Sequence, residues 1–217
     1  PQWTYGLRTN GFSGDSIISI VCDKAAWKII IFNSKGIKHE IEQPFNDLSG
    51  LAVAEGKILA IASNAIKEFG LLELDINNGD WTHTSSRNSF LAIDQISIAE
   101  SFWFKGFNGL MTHAWFYPPV NLKAKASPLL VKSHSGPTAM AGRGLDWSIQ
   151  FWTSRGWGVV DVNYGGSTGF GRSYRERIAR KWGEADVFDC AAAANTLVEL
   201  GKVDKDKIAI EGGSAGG

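Results

Sequence analysis

The chain has 217 residues, 44% hydrophobic and 20% charged, and its 22 basic and 22 acidic side chains balance to zero net charge. That is the composition of a globular protein with ample core-forming material, without the basic face of a nucleic-acid binder. Apolar runs such as 27–32 and 129–131 are too short to cross a bilayer, so no membrane span is expected. Cys22 and Cys190 lie far apart with no CxxC pair. Neither a metal nor a redox motif is indicated, and two free thiols fit a reducing, cytoplasmic setting.

Taken in chain order, the first part reads as short strands broken by turn residues. Strands are expected at 16–22, 27–32 and 37–41, the last two joined through Asn33-Ser34-Lys35-Gly36. The same phrase recurs with strands at 51–54, 57–62, 71–75 and 81–84, the last entered through Asn77-Asn78-Gly79-Asp80. Strands at intervals of about 8–12 residues are an all-β signature. Two such groups roughly 40 residues apart predict four-stranded propeller blades, with an antiparallel sandwich as the alternative.

After residue 95 the pattern changes. Segments 96–104 and 111–117 predict a hairpin around Gly106-Phe107-Asn108-Gly109, stopped by Pro118 and Pro119. Beyond it, strands at 129–132, 157–162 and 208–211 alternate with helices at 147–155 and 187–200, closed by Gly156 and Gly201. Such alternation predicts a mostly parallel α/β sheet. The domain boundary is placed within 88–101, giving a propeller-like region 1–95 and an α/β region 96–217.

The last strand runs into Gly212-Gly213-Ser214-Ala215-Gly216, a G-x-S-x-G sequence. A serine there sits on a sharp strand-to-helix turn with its hydroxyl raised, and a β-carbon on a flanking glycine would collide with neighbouring backbone. Ser214 is therefore the candidate nucleophile. A second element, His134-Ser135-Gly136-Pro137, follows the strand at 129–132, where this architecture takes its second oxyanion donor. The expected donors are the N–H groups of Gly136 and Ala215, each typically worth about 3 kcal/mol to a tetrahedral intermediate. His134 precedes the serine, whereas this fold orders its triad Ser, Asp, His, so a structural role is expected for it. His39, His83 and His113 show no metal-ligand spacing. The 165–171 loop lacks the register of a phosphate-binding loop, so neither metal nor cofactor is expected. Trp182 is expected to pack in the core, and Asp186 and Asp189 to favour a helix N-terminus.

The segment Asp161-Val162-Asn163-Tyr164-Gly165-Gly166-Ser167-Thr168-Gly169-Phe170-Gly171 resembles a loop of the prolyl oligopeptidase family that commonly reads N-Y-R-G-S-T-G-Y-G. Trp182-Gly183 followed by Asp186 and Asp189 is similar to that family's W-G-x-x-D-x-x-D, and Gly212 to Gly217 to its G-x-S-x-G-G elbow. The acylaminoacyl-peptidase-like and dipeptidyl-peptidase-like branches are matched best. Two departures stand out: Ser135 replaces a usual glycine, and Gly165 replaces a frequent arginine. The resemblance implies an incomplete α/β-hydrolase domain in 96–217 preceded by the last blades of a β-propeller in 1–95, and a serine peptidase acting on short peptides through an acyl-enzyme on Ser214, with the propeller restricting access and no cofactor. It also implies that the triad Asp and His follow the serine, beyond Gly217. The chain is accordingly expected to be cut at both ends, inactive by itself and poorly folded. A carboxylic-ester hydrolase of the same fold and a non-catalytic propeller binding module are the alternatives. No oligomeric state is indicated.

Overall fold

The structure, a computed structural model, describes residues 6–85, 89–120 and 126–217. Asn88, at the start of the expected boundary, lies outside the described residues. The chain divides into two compact units: one formed by 91–141 and 146–217, the other by 2–90 together with 142–145.

The mainly N-terminal unit contains two antiparallel four-stranded meanders. The first is β1 (Asn10–Ser13), β2 (Ser16–Asp23), β3 (Ala26–Phe32) and β4 (Lys38–Ile41); the second is β5 (Asp47–Ala54), β6 (Lys57–Ser63), β7 (Gly70–Asp75) and β8 (Trp81–Ser85). Each strand pairs with the next in sequence. Local chemistry sets the turns: the Asn33 side-chain oxygen accepts from the N–H groups of Lys35 and Ile37 at 3.0 and 2.9 Å. This is the Asx-type closure that makes Asn a turn residue. Strand β1 has no counterpart among the expected strands, because Asn10-Gly11-Phe12-Ser13 carries little β-branched character. Ile18, Ile29, Phe45, Leu51, Ile58 and Leu72 bury into one apolar cluster shared by both meanders. At roughly 1.5–3 kcal/mol for each large side chain, this cluster outweighs the exposed ion pairs of the unit. Residues 142–145 join this unit by bonding to it: Asp47 accepts the Gly144 N–H at 2.6 Å, and the Leu145 N–H donates to Asn64. Burial raises the Asp47 pKa, against the lowering effect of the Gly144 N–H and of Arg143.

The second unit is built on a five-stranded sheet. Its strands are β9 (Glu100–Lys105), β10 (Met111–Tyr117), β11 (Ser127–Ser133), β12 (Gly158–Asn163) and β13 (Val203–Gly212), in the spatial order β13-β11-β12-β10-β9. β13, β11 and β12 run parallel, while β10 runs antiparallel both to β12 and to β9, with which it forms the expected hairpin. The helices are α1 (Trp147–Thr153), α2 (Arg172–Arg175) and α3 (Ala185–Glu199). α1 begins at Asp146, whose side chain caps it by accepting the Ser148 N–H at 2.7 Å. α3 packs its buried Cys190, Ala193 and Leu197 on Val131, Val160 and Val162. The intervening residue Lys132 points the other way, its ammonium donating to Ser148 of α1. Strand alternation therefore puts the two helices on opposite faces. Meander sheets followed by a mixed α/β sheet are consistent with a β-propeller and α/β-hydrolase combination. No helix of the described residues is long and apolar enough to cross a membrane.

Candidate active site

Parallel pairing brings two strand ends together. Ser133 of β11 is in register with Gly212 of β13, so the turns that follow each strand are neighbours. After β13 the chain passes Gly213 in extended conformation and enters a single 3-10 turn, Ser214–Gly216. Ser214 has a φ of 55°, a left-handed conformation that is strained for a side chain of its kind. Space is as restrictive as strain. A β-carbon on Gly212 would meet the Gly216 carbonyl oxygen at 1.8 Å, and one on Gly216 would meet those of Ser133 and His134 at 2.3 and 2.8 Å. The two glycines of the pentapeptide are thus demanded by the turn itself and by the end of β11. Ser214 is exposed, and among the described residues no side chain hydrogen-bonds its hydroxyl.

The turn after β11 holds Gly136 at a φ of 133°, where a β-carbon would approach the N–H groups of Ala139 and Thr138 at 2.6 and 2.9 Å. His134 is committed elsewhere. Its ring lies flat on Tyr164, centroids 4.2 Å apart and 19° between planes. Nδ1 is 2.8 Å from the Ser135 carbonyl and Nε2 is 2.7 Å from Ser167 Oγ. Burial lowers its pKa to about 4, so the ring is neutral at pH 7. The Ser167 hydroxyl, which donates to the Tyr164 carbonyl at 2.7 Å, thus lies against the Nε2 edge of the ring. His113 is likewise a buried neutral ring, its pKa lowered to about 4 by burial. It takes the Asn163 amide on Nδ1 and gives its Nε2 proton to Ser101 Oγ. His39 and His83 belong to the meander unit, on β4 and β8. Among the described residues no cluster of His, Cys, Asp or Glu could hold a metal.

Two acidic residues of α3 do different work. Asp186, in the first turn, accepts the Gly183 N–H at 2.7 Å, which is local capping chemistry. Asp189 sits one turn further in and does not cap the helix. Its two oxygens accept the N–H groups of Phe107 and Gly165, both at 2.7 Å, tying the β9–β10 turn and the loop after β12 to α3. Burial raises its pKa, partly offset by those two bonds and by Arg177. A β-carbon on Gly165 would already be 3.2 Å from Arg177 Cβ and 3.3 Å from Asp189. Trp182 is not core: it is 59% exposed, because it stands in the turn before α3 rather than on a packed face. Its indole N–H donates to the Ala215 carbonyl at 3.4 Å, a long bond. An apolar cleft of about 500 Å³ opens there, lined by Trp182, Val187, Cys190, Ile210, Ser214 and Ala215. Cys190 is a free thiol, pushed up to about 12 by burial and unreactive as a thiolate.

The sequence pattern singled out the turns at Ser214 and Gly136, but not the stacking of Tyr164 on His134 or the two hydrogen bonds of Asp189. The loop 161–171 carried the available signal, as a motif without a mechanism. Residues 143–217 match the Prolyl oligopeptidase family. A puromycin-hydrolysing peptidase of Mycobacterium tuberculosis is 30% identical over the whole chain, with a TM-score of 0.94. A puromycin hydrolase mutant complexed with PGG is 32% identical, with a TM-score of 0.92, again over the whole chain. The uncharacterized peptidase YuxL of Bacillus subtilis is 23% identical over 90% of the chain. The chain spans 34% of each of those two structures and 30% of YuxL. The matched stretch contains α3, β13 and the Ser214 turn.

Proposed function

We propose that this chain carries the nucleophile and oxyanion donors of a serine-type peptidase that hydrolyses short peptides. The observation that carries the reading is the left-handed Ser214, φ 55°, on a turn whose glycines admit no β-carbon. Ser214 Oγ would attack the scissile carbonyl, with the Gly136 and Ala215 N–H groups receiving the oxyanion. Proton transfer needs a histidine base oriented by a carboxylate, and in this architecture both follow the serine along the chain. His134 and His113 are spent on other bonds, so the base would come from sequence after Gly217. On this reading the 217 residues alone do not turn over substrate. The PGG complex of a neighbour supports a peptide substrate rather than a carboxylic ester, and the puromycin-hydrolysing neighbours make puromycin a second substrate to try. Two free thiols support a cytoplasmic location.

The test compares the full-length protein, its Ser214→Ala variant and the 217-residue chain on short chromogenic peptides, a matched ester and puromycin. Peptide turnover by the full-length protein alone, lost by about 10⁴-fold or more in Ser214→Ala, is expected. Turnover that survives Ser214→Ala, or that is confined to the ester, would remove the peptidase reading.

A further inference from the structure

The carbonyl oxygen of His134 is the point where the oxyanion-type turn meets the nucleophile turn, and it is gripped by a phenol. Gly216 approaches it so closely that a β-carbon there would lie 2.8 Å away. The Tyr164 hydroxyl donates to the same oxygen at 2.8 Å. Only Ser135 separates His134 from Gly136, so the His134 carbonyl and the Gly136 N–H lie in adjacent peptide units. The Tyr164 ring also stacks on the His134 ring and limits its rotation. Ser167, fully buried, bonds the far edge of that ring and is fixed by its own N–H, which donates to the Tyr164 carbonyl at 2.9 Å. On the other side of Gly136, the Thr168 N–H donates to the Ala139 carbonyl at 2.9 Å, pinning the stretch that Gly136 packs against. Gly136 therefore lies between two pins, both supplied by the loop after β12. That loop is anchored to α3 through Gly165 and Asp189.

We propose that Tyr164, His134 and Ser167 are positioning residues that hold the Gly136 N–H at its working distance from Ser214. The inference rests on the peptidase reading. None of the three side chains is asked to touch substrate. An oxyanion donor acts only where charge develops, so a displaced donor costs transition-state stabilisation and leaves ground-state binding largely intact. That signature separates positioning from a merely structural role, which would lower stability and scale down the active fraction without changing the ratios.

The experiment uses the full-length protein with Tyr164→Phe and Ser167→Ala, each deleting one hydroxyl, beside Ser214→Ala. Measured quantities are kcat, KM, the affinity of a peptidyl boronate that forms a tetrahedral adduct, and the affinity of a product peptide. For Tyr164→Phe a fall in kcat of about 10- to 100-fold is expected, with KM within about two-fold. Boronate affinity should fall in parallel and product affinity should stay constant. Ser167→Ala should show the same pattern more weakly, because the stack on Tyr164 persists. An unchanged kcat in both variants, or a rise in KM without loss of boronate affinity, would overturn the clamp while leaving Ser214 as nucleophile. Should Tyr164→Phe fail to fold, Ser167→Ala decides by the same ratios. Turnover retained by Ser214→Ala would instead remove the peptidase reading and the clamp with it.

Discussion

The two units solve the sheet problem in opposite ways. In the meander unit every strand pairs with its sequence neighbour, so β1 to β4 and β5 to β8 close through short turns. In the α/β unit the order β13-β11-β12-β10-β9 places β13 against β11, with β12 and three helices between them in sequence. Local pairing makes a scaffold whose parts answer for themselves. Long-range pairing makes a place where turns from distant segments meet, and here the Ser214 turn and the Gly136 turn meet. A substitution in the first kind of sheet should change stability, and one at the strand ends of the second should change chemistry.

Gly212→Ala is the sharpest way to break that contrast. Its β-carbon would stand 1.8 Å from the Gly216 carbonyl, so the Ser214 turn must open. Turnover by the full-length protein should drop about 10²–10³-fold with only a modest change in unfolding temperature. Leu72→Ala is the counterpart in the meanders. Leu72 is fully buried in the shared apolar cluster, and its loss should cost about 2–5 kcal/mol in denaturant unfolding while kcat per folded molecule stays constant. If Leu72→Ala altered kcat, or Gly212→Ala acted only on stability, the contrast would fail.

Acid should act mainly on the α/β unit. His113 and His134 both have folded pKa values lowered to about 4 by burial. A lowered histidine pKa means that the contribution of the neutral ring is complete above about 6.5. It is then lost as pH falls towards 4. Asp161 works in the opposite sense: burial and the nearby Asp146 and Glu211 push it up to about 7, against the lowering effect of Lys132. Its folded form holds an extra proton between about 4 and 7, which favours folding as pH falls through that window. Denaturant unfolding at stepped pH should show a net acid loss, and Asp161→Asn should steepen it by about 1–2 kcal/mol between pH 7 and 4. The smallest expected effect belongs to the exposed cross-strand pair of Lys57 and Glu73, 2.5 Å apart with side chains 49% and 42% exposed. Glu73→Gln should leave the denaturant midpoint essentially unchanged.

What the sequence determined by itself is what spacing can encode. Period-two runs and turn residues marked β2 to β8 to within a few residues, and the change to strand–helix alternation marked the α/β unit. Gly212 to Gly216 announced a tight turn because only glycines at its flanks leave room for the backbone, a restriction that travels with the pentapeptide. The tertiary structure decided what each polar or aromatic side chain would meet. Asp189 looked like helix-end charge until Phe107 and Gly165 came to it from 82 and 24 positions away. Trp182 looked like core until the turn before α3 left it exposed beside Ala215. Tyr164 was a letter in a motif until folding laid it on His134, 30 residues upstream. The physical reason is the same in each case. Backbone restrictions act within a few residues and leave their mark on local spacing, whereas hydrogen bonds and ring contacts between loops exist only once parallel strands have brought their ends together.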